Sequence, residues 1–215
     1  MYWKTYARNR VENEESWKDI YREEYLYPYL QRFFSAKDAV QRILDIGCGR
    51  WKLLQFIDSG SSYTWVDVNK HFFEYIYEKY PRKNIVLEEA SLPNISDAIS
   101  NQFELVVCCQ VLHQVSNLEE SIEDIFRMIE KWWEFLLITF REDAKDHLRN
   151  SFKQVISSEE NYVKGIYSLG SWVDVEAEIN FHKEDDIEKF LWTCWNYKKE
   201  YVWEMFVAYE WKSFI

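Results

Sequence analysis

The spacing of apolar positions changes several times along the chain. Between residues 12 and 33, Trp17, Ile20, Tyr21, Tyr25, Leu30 and Phe33 recur at largely helical spacing, which predicts an N-terminal helical segment interrupted near Pro28. From Gln41 that period stops, and RILDIG is a short apolar run ending in glycine, as expected of a strand buried on both faces. Residues 51–58 fit a helix and YTWVDV (63–68) a second strand. Asn69 can cap the next helix, whose stripe of Phe72, Phe73, Ile76, Tyr77 and Tyr80 is stopped by Pro81. Ile85 to Leu87 reads as a third strand, residues 95–100 as a short helix, and FELVVCC (103–109) as a fourth strand. Ser116 or Asn117 caps a helix over 118–131, with Glu119 or Glu120 completing a capping box, and EFLLITF (134–140) is a fifth strand.

Strands alternating with helices of these lengths predict an α/β fold, a doubly wound and mostly parallel sheet with helices on both faces. Beyond strand five the alternation ends. A charged helix is predicted over 143–157, then a loop with Gly165 and Gly170, an extended stretch near 172–181, a helix at 184–194 and two strands at 197–204 and 205–212. One domain over 1–215 follows: an N-terminal helical segment (1–40), a core (41–140), an insertion expected to cap the substrate site (141–182), and a final helix and strand pair (183–215).

The 215 residues are 47% hydrophobic and 29% charged, the balance of one globular domain with a real core. A net charge of -11 disfavours a phosphate-backbone ligand, so no nucleic-acid partner is expected. No window approaches the ~20 apolar residues of a membrane span, and the N-terminus is too charged for a secretory leader, so a cytoplasmic protein without a membrane partner is expected. Cys48, Cys108, Cys109 and Cys194 form no CxxC pair or Cys/His cluster, and are read as free thiols with no metal site.

The sharpest chemical signal is Asp45-Ile46-Gly47-Cys48-Gly49 at the end of the first strand, followed 18 residues after Gly49 by Asp67 at the end of the second. Glycines at such a turn let backbone approach a nucleotide-like ligand, and an acid at the next strand tip can accept both ribose hydroxyls. The pair points to an adenosine-type cofactor.

These stretches, with LEEASLP (87–93), VVCCQVLHQV (106–115) and EFLLITF (134–140), resemble the class I S-adenosylmethionine-dependent methyltransferases. The resemblance covers about residues 41–140 well and the C-terminal strand pair loosely. It implies a seven-stranded Rossmann-like sheet of order 3-2-1-4-5-7-6 with strand 7 antiparallel. It implies that Asp45, Gly47, Cys48 and Gly49 border the methionine and sugar of the cofactor, and that Asp67, with Val68 next to it, holds the ribose. Glu89 and Ala90 would lie beside the adenine, and Cys109 and Gln110 would close the pocket. His113, in the same comparison, falls at the floor of the active site, where an imidazole could deprotonate or orient a nucleophile. The implied activity is methyl transfer to an O, N or C nucleophile of a small molecule. A nicotinamide-dependent dehydrogenase, the rival reading of the same turn, would need glycine where the chain has Lys52.

The methyltransferase pattern is itself broken at its third glycine, where Trp51 stands. Trp65, Trp132, Trp133 and Trp195 likewise occupy places where the family has glycine. The chain has five Gly and eleven Trp, against roughly 15 glycines at the average usage of about 7%. Glycine codons written as tryptophan, as when UGA specifies glycine in the source, would account for all five. The alternative is a non-catalytic methyltransferase-fold binding domain whose cofactor site is filled by Trp51 and Trp65. Tyr6, Arg10, His147, Arg149 and His182 are secondary candidates for cofactor or substrate contacts; an aromatic stripe such as that of Tyr6 is more often packing, and a solvated charged helix accounts better for His147 and Arg149.

Overall fold

The structure, a computed structural model, describes residues 22–37, 42–47, 49, 52–79, 81, 84–169, 173–192 and 197–212. The strands are β1 (Arg42–Ile46), β2 (Ser62–Asp67), β3 (Ile85–Glu89), β4 (Phe103–Cys109), β5 (Ile129–Phe140), β6 (Gln154–Glu159), β7 (Tyr162–Leu169), β8 (Val173–Asn180), β9 (Tyr197–Trp203) and β10 (Phe206–Lys212). Seven of them form one sheet in the order β3-β2-β1-β4-β5-β10-β9. β1 to β5 pair in parallel and β10 runs antiparallel to both β5 and β9. This is the doubly wound order expected from the sequence, with the last strand inserted beside the fifth.

The α-helices are α1 (Tyr27–Ser35), α2 (His71–Lys79), α3 (Ile95–Ala98), α4 (Leu118–Met128), α5 (Lys145–Ser151) and α6 (Glu184–Leu191). Side chains alternate across the sheet, so β4 sends Leu105 and Val107 into one core and Val106 and Cys108 into the other. The first core packs Leu30 and Phe33 of α1 and Phe72 of α2 against Ile43, Tyr63 and Trp65. The second packs Ile122 and Ile125 of α4 and Ile187 of α6 against Leu44, Val66 and Val106. α1 is tied to the far edge of the sheet by Tyr29, whose hydroxyl donates to Glu210 at 2.5 Å, and by an Arg32–Glu200 ion pair.

Several boundaries differ from the sequence reading, each for a local reason. Pro28 does not interrupt the N-terminal helix: a π-helical turn (Arg22–Leu26) runs into α1, and Pro28 sits in the first turn of α1, where an N–H has no intrahelical acceptor to lose. The helix expected at 51–58 is a 3-10 stretch, Lys52–Phe56, whose Leu53 and Leu54 enter the core already occupied by the wholly buried indole of Trp65. α4 stops at Met128 rather than at 131, and β5 begins at Ile129. With no glycine to end the helix, the β-branched Ile129 pairs with Phe103, and the register then slips before Glu134 meets Leu105.

The insertion after β5 is mostly sheet. The charged helix expected over 143–157 is confined to α5, and β6, β7 and β8 form an antiparallel meander of their own. Phe152 turns the chain onto that meander by lying on Gly165, where a Cβ would come within 2.5 Å of its ring. The far end of β8 returns to the main sheet: Asn180 and His182 donate to the carbonyls of His113 and Leu112 at 3.3 and 2.8 Å. Among the described residues no helix is long and apolar enough to cross a membrane.

Candidate active site

The turn after β1 is built from two glycines with left-handed backbones, Gly47 (φ +66°) and Gly49 (φ +51°). Gly47 donates to the Val66 carbonyl at 2.7 Å, and a Cβ on it would lie 2.3 Å from Cγ2 of Val111. The bare backbone thus passes between β2 and the loop after β4, and bends across the carboxyl end of the sheet. The Gly49 amide donates to one oxygen of Asp67 at 2.9 Å and the Asn69 amide to the other at 2.8 Å. Burial pushes the Asp67 carboxyl upward and these two amides pull it back. A carboxylate has about four lone-pair sites, so each oxygen keeps the capacity to accept a further donor.

Asp45, at the preceding step of β1, is buried and accepts from the Tyr63 hydroxyl at 2.8 Å. Desolvation, opposed by that hydrogen bond and reinforced by the charge of Asp67, raises it to about 7. At the tip of β4, Gln110 takes a left-handed conformation (φ 59°) that only a few per cent of non-glycine residues adopt, and its amide donates to Ile138 at 2.7 Å. Such a bend ends the strand and opens the sheet at its switch point between β1 and β4.

A cavity of about 230 Å³ lies over that switch point. Asp45, Gly47, Gly49, Asp67, Val68, Ala90, Cys109 and Gln110, all singled out in the sequence, line it together. Val68 is 50% exposed, an apolar side chain open to a flat ligand. Two candidates stand elsewhere: Glu89 is exposed and ion-pairs with Lys70 at 3.2 Å, and His113 is absent from the cavity wall. Cys48, Trp51, Tyr6, Arg10 and Trp195 lie outside the described residues. Sequence reasoning missed Arg22, Phe72, Ile95 and Gln114 as wall residues. Phe72 and Gln114 lay in motifs already recognised, whereas Arg22 belongs to a segment read only as helix. Ile95 is held by a contact 29 residues away, its amide donating at 2.6 Å to the buried Asp124 of α4, which no local pattern reveals.

His113 sits behind Gln114, its ring 4.7 Å from that of Phe140 and its Nε2 3.4 Å from the Gln114 amide. Burial, with the nearby positive charges of Arg22 and His182, lowers it to about 3, so the ring is neutral at working pH. Cys109 reaches the cavity as a protonated thiol, pushed up to about 12 by burial and by the charge of Asp45. Of the remaining candidates, His147 and Arg149 are exposed on α5, and His182 is half-buried against the Leu112 carbonyl.

Known proteins resemble this chain in sequence and fold. The family model described as "Methyltransferase domain" matches residues 19–193. The chain belongs to that family. Among curated proteins, the methyltransferase-family chain is 24% identical over 129 residues to the lovastatin diketide synthase mokB of Monascus pilosus, a match covering 54% of this chain and 5% of that protein. Among solved structures it is similar to DhpI in complex with S-adenosylhomocysteine, with a TM-score of 0.70, 13% identity and coverage of 98% of this chain and 94% of that one. It is also similar to the N-methyltransferase NodS from Bradyrhizobium japonicum WM9 bound to S-adenosylhomocysteine, with a TM-score of 0.66, 13% identity and 99% of each chain covered. At these identities the structural likeness establishes the class I methyltransferase fold.

Proposed function

We propose that this methyltransferase moves a methyl group from S-adenosylmethionine to an O, N or C nucleophile of a small molecule held in the cavity at the carboxyl ends of β1, β2 and β4. The observation that carries this is the joint presence in one cavity wall of the Gly47–Gly49 turn and Asp67, whose spare lone pairs suit a ribose diol. When bound, the cofactor supplies an electrophilic methyl on a sulfonium sulfur. The chain's own part is to hold and to dry. Gly47 and Gly49 give the methionine and sugar close backbone, Val68 and Ala90 flank the adenine, and the carboxylate of Asp67 favours the cofactor's positive charge. Catalysis rests on aligning nucleophile and methyl and excluding water, which asks for no obligatory base. His113 serves as a positioning group for Gln114, since a buried neutral ring with no face on the cavity cannot take a proton from a bound acceptor directly.

Thermal unfolding with added nucleotide tests this reading. S-adenosylhomocysteine at about 100 times its Kd should stabilise the fold by ~2.7 kcal/mol, and NADH should leave it unmoved. Stabilisation by NADH instead would return the dehydrogenase reading.

The tryptophans at glycine positions bear on the same cavity. Trp65 lies wholly inside the first core, its ring edge-on to Tyr63 at 5.3 Å, and is not part of the cavity wall. It therefore does not favour the alternative of a binding domain blocked at position 65. Its indole N–H is buried without a hydrogen-bond partner, a cost of about 1–3 kcal/mol that a native strand interior seldom carries. We read Trp51, Trp65, Trp132, Trp133 and Trp195 as glycine in the protein its source organism makes. The intact mass of protein isolated from that source decides it: five Trp-to-Gly differences support the reading, and the mass of the written chain removes it.

A further inference from the structure

The turn after β4 connects the glycine turn to the insertion. At its start Val111 lies under Gly47, where a Cβ on the glycine would come within 2.3 Å of Cγ2. At its end the 3-10 stretch Leu112–Gln114 is gripped by the chain leaving β8: Asn180 donates to the His113 carbonyl at 3.3 Å and His182 to the Leu112 carbonyl at 2.8 Å. The Leu112 and His113 side chains of this stretch are buried, whereas Gln114 is exposed and belongs to the cavity wall. A backbone held at two carbonyls and by two buried side chains thus presents one polar group, the Gln114 amide, at the opening.

That amide is held and oriented from behind. Its end lies 3.4 Å from Nε2 of His113, whose Nδ1 is buried with no hydrogen-bond partner among the described residues. A neutral imidazole carries one ring proton. Were it on Nδ1, a buried N–H would have no acceptor, the rarer and costlier kind of orphan. With the proton on Nε2, the ring donates to the amide, which offers its oxygen after a half-turn about its last bond. The oxygen is then taken, and the NH₂ is the end left for a ligand.

We propose that Gln114 selects the methyl acceptor by donating from its side-chain NH₂ to a carbonyl-type oxygen, a ketone, amide or carboxylate oxygen, beside the atom that is methylated. The inference rests on the methyltransferase reading of this cavity. The oxygen is the handle and its neighbour the nucleophile, which alignment brings to the sulfonium methyl. Discrimination exceeds attraction: a molecule that brings a donor to this point forms no bond and leaves the NH₂ unpaired. His113, Asn180 and His182 act as positioning residues, the first on the amide and the other two on the turn that carries it.

Two measurements test this. In nitrogen-15-labelled wild type, the His113 ring should be protonated on Nε2 and bare on Nδ1; a proton on Nδ1 overturns the proposal. Calorimetry on protein saturated with S-adenosylhomocysteine then compares acetophenone and benzoate, which bring an oxygen, with benzylamine, which brings only donors. At least one oxygen probe should bind about tenfold more tightly than benzylamine, and which of them does so fixes the oxygen as neutral or charged. In Gln114→Met, which keeps the length and loses the donor, the preference should shrink to within about threefold. In Gln114→Glu, whose carboxylate accepts and does not donate, it should reverse toward benzylamine. Benzylamine binding to wild type as tightly as both oxygen probes, failure of both to bind, or a preference that survives the two substitutions overturns the proposal. A Gln114→Met variant that no longer takes up S-adenosylhomocysteine assigns the amide to the cofactor and overturns it too. If folded wild type takes up no S-adenosylhomocysteine, the methyltransferase reading itself has failed and this inference falls with it; uptake with the wrong probe preference overturns this inference alone.

Discussion

Asp67 combines two tasks in one carboxylate. Its two backbone hydrogen bonds pin the glycine turn to the start of α2, and its remaining lone pairs face the cavity. Asp67→Ala should therefore weaken S-adenosylhomocysteine binding by about 10- to 100-fold, the loss of one or two charge-assisted hydrogen bonds, as read by titration. Asp45 predicts a pH dependence. Its native carboxyl sits at about 7 against an ordinary 3.8, so the folded protein keeps a proton that the unfolded chain has released. Stability from this group is present below the unfolded value and is lost as pH rises through about 7. The depressed His113 acts in the opposite sense below 6.5, so the Asp45 contribution is isolated by difference. Asp45→Asn should be less stable than wild type by a smaller margin, or more stable, at about pH 8 than at about pH 5 in urea titrations. A difference independent of pH would show that the carboxyl titrates as it does in water. Both aspartates were legible in the sequence because strand ends and glycine spacing announce them; Arg22 was not, because nothing local distinguishes a wall arginine from a solvated one.

At the scale of elements, the parallel strands were readable and the joints between elements were not. β1, β2 and β4 are runs of largely apolar residues buried on both faces, a pattern with little competition, whereas β3 lies at the sheet edge and leaves Val86 exposed. Asn117 caps α4 as its sequence suggests, accepting from the Glu120 amide at 3.3 Å. The end of α4 was misplaced because the residues after Met128 suit a helix or a strand, and pairing with Phe103 decides between them. In the insertion the extended stretch near 172–181 is β8, but the helix expected over 143–157 stops at Ser151 and the expected loop around Gly165 is strand, because Phe152 on Gly165 and the pairing of β6 with β7 are tertiary facts. α3 is the clearest tertiary case. It has only four residues, and Asp124 satisfies its first amides, those of Ile95 and Ser96, at 2.6 and 3.1 Å. Asp124→Ala would leave both orphaned and should cost about 2–4 kcal/mol, seen as a lower urea midpoint at unchanged m value. Since Ile95 is part of the cavity wall, cofactor affinity should fall as well.

For the molecule as a whole, two cores on the faces of one seven-stranded sheet fix the strand order, and the order fixes where a ligand can lie. α1, bound to the last strands through Tyr29 and Arg32, holds the turn before it, with Arg22, in the cavity wall, while the meander of β6 to β8 braces the 112–114 turn through Asn180 and His182. The glycine turn, Asp67 and Arg22 thus come from separate stretches of chain that only the complete fold brings into one cavity wall. Calorimetric titration of S-adenosylhomocysteine into the folded protein tests most directly whether this convergence is a cofactor site. Saturable one-to-one binding that Asp67→Ala weakens is expected; a folded protein that gives no heat of binding and is not rescued by Trp51→Gly with Trp65→Gly would contradict it.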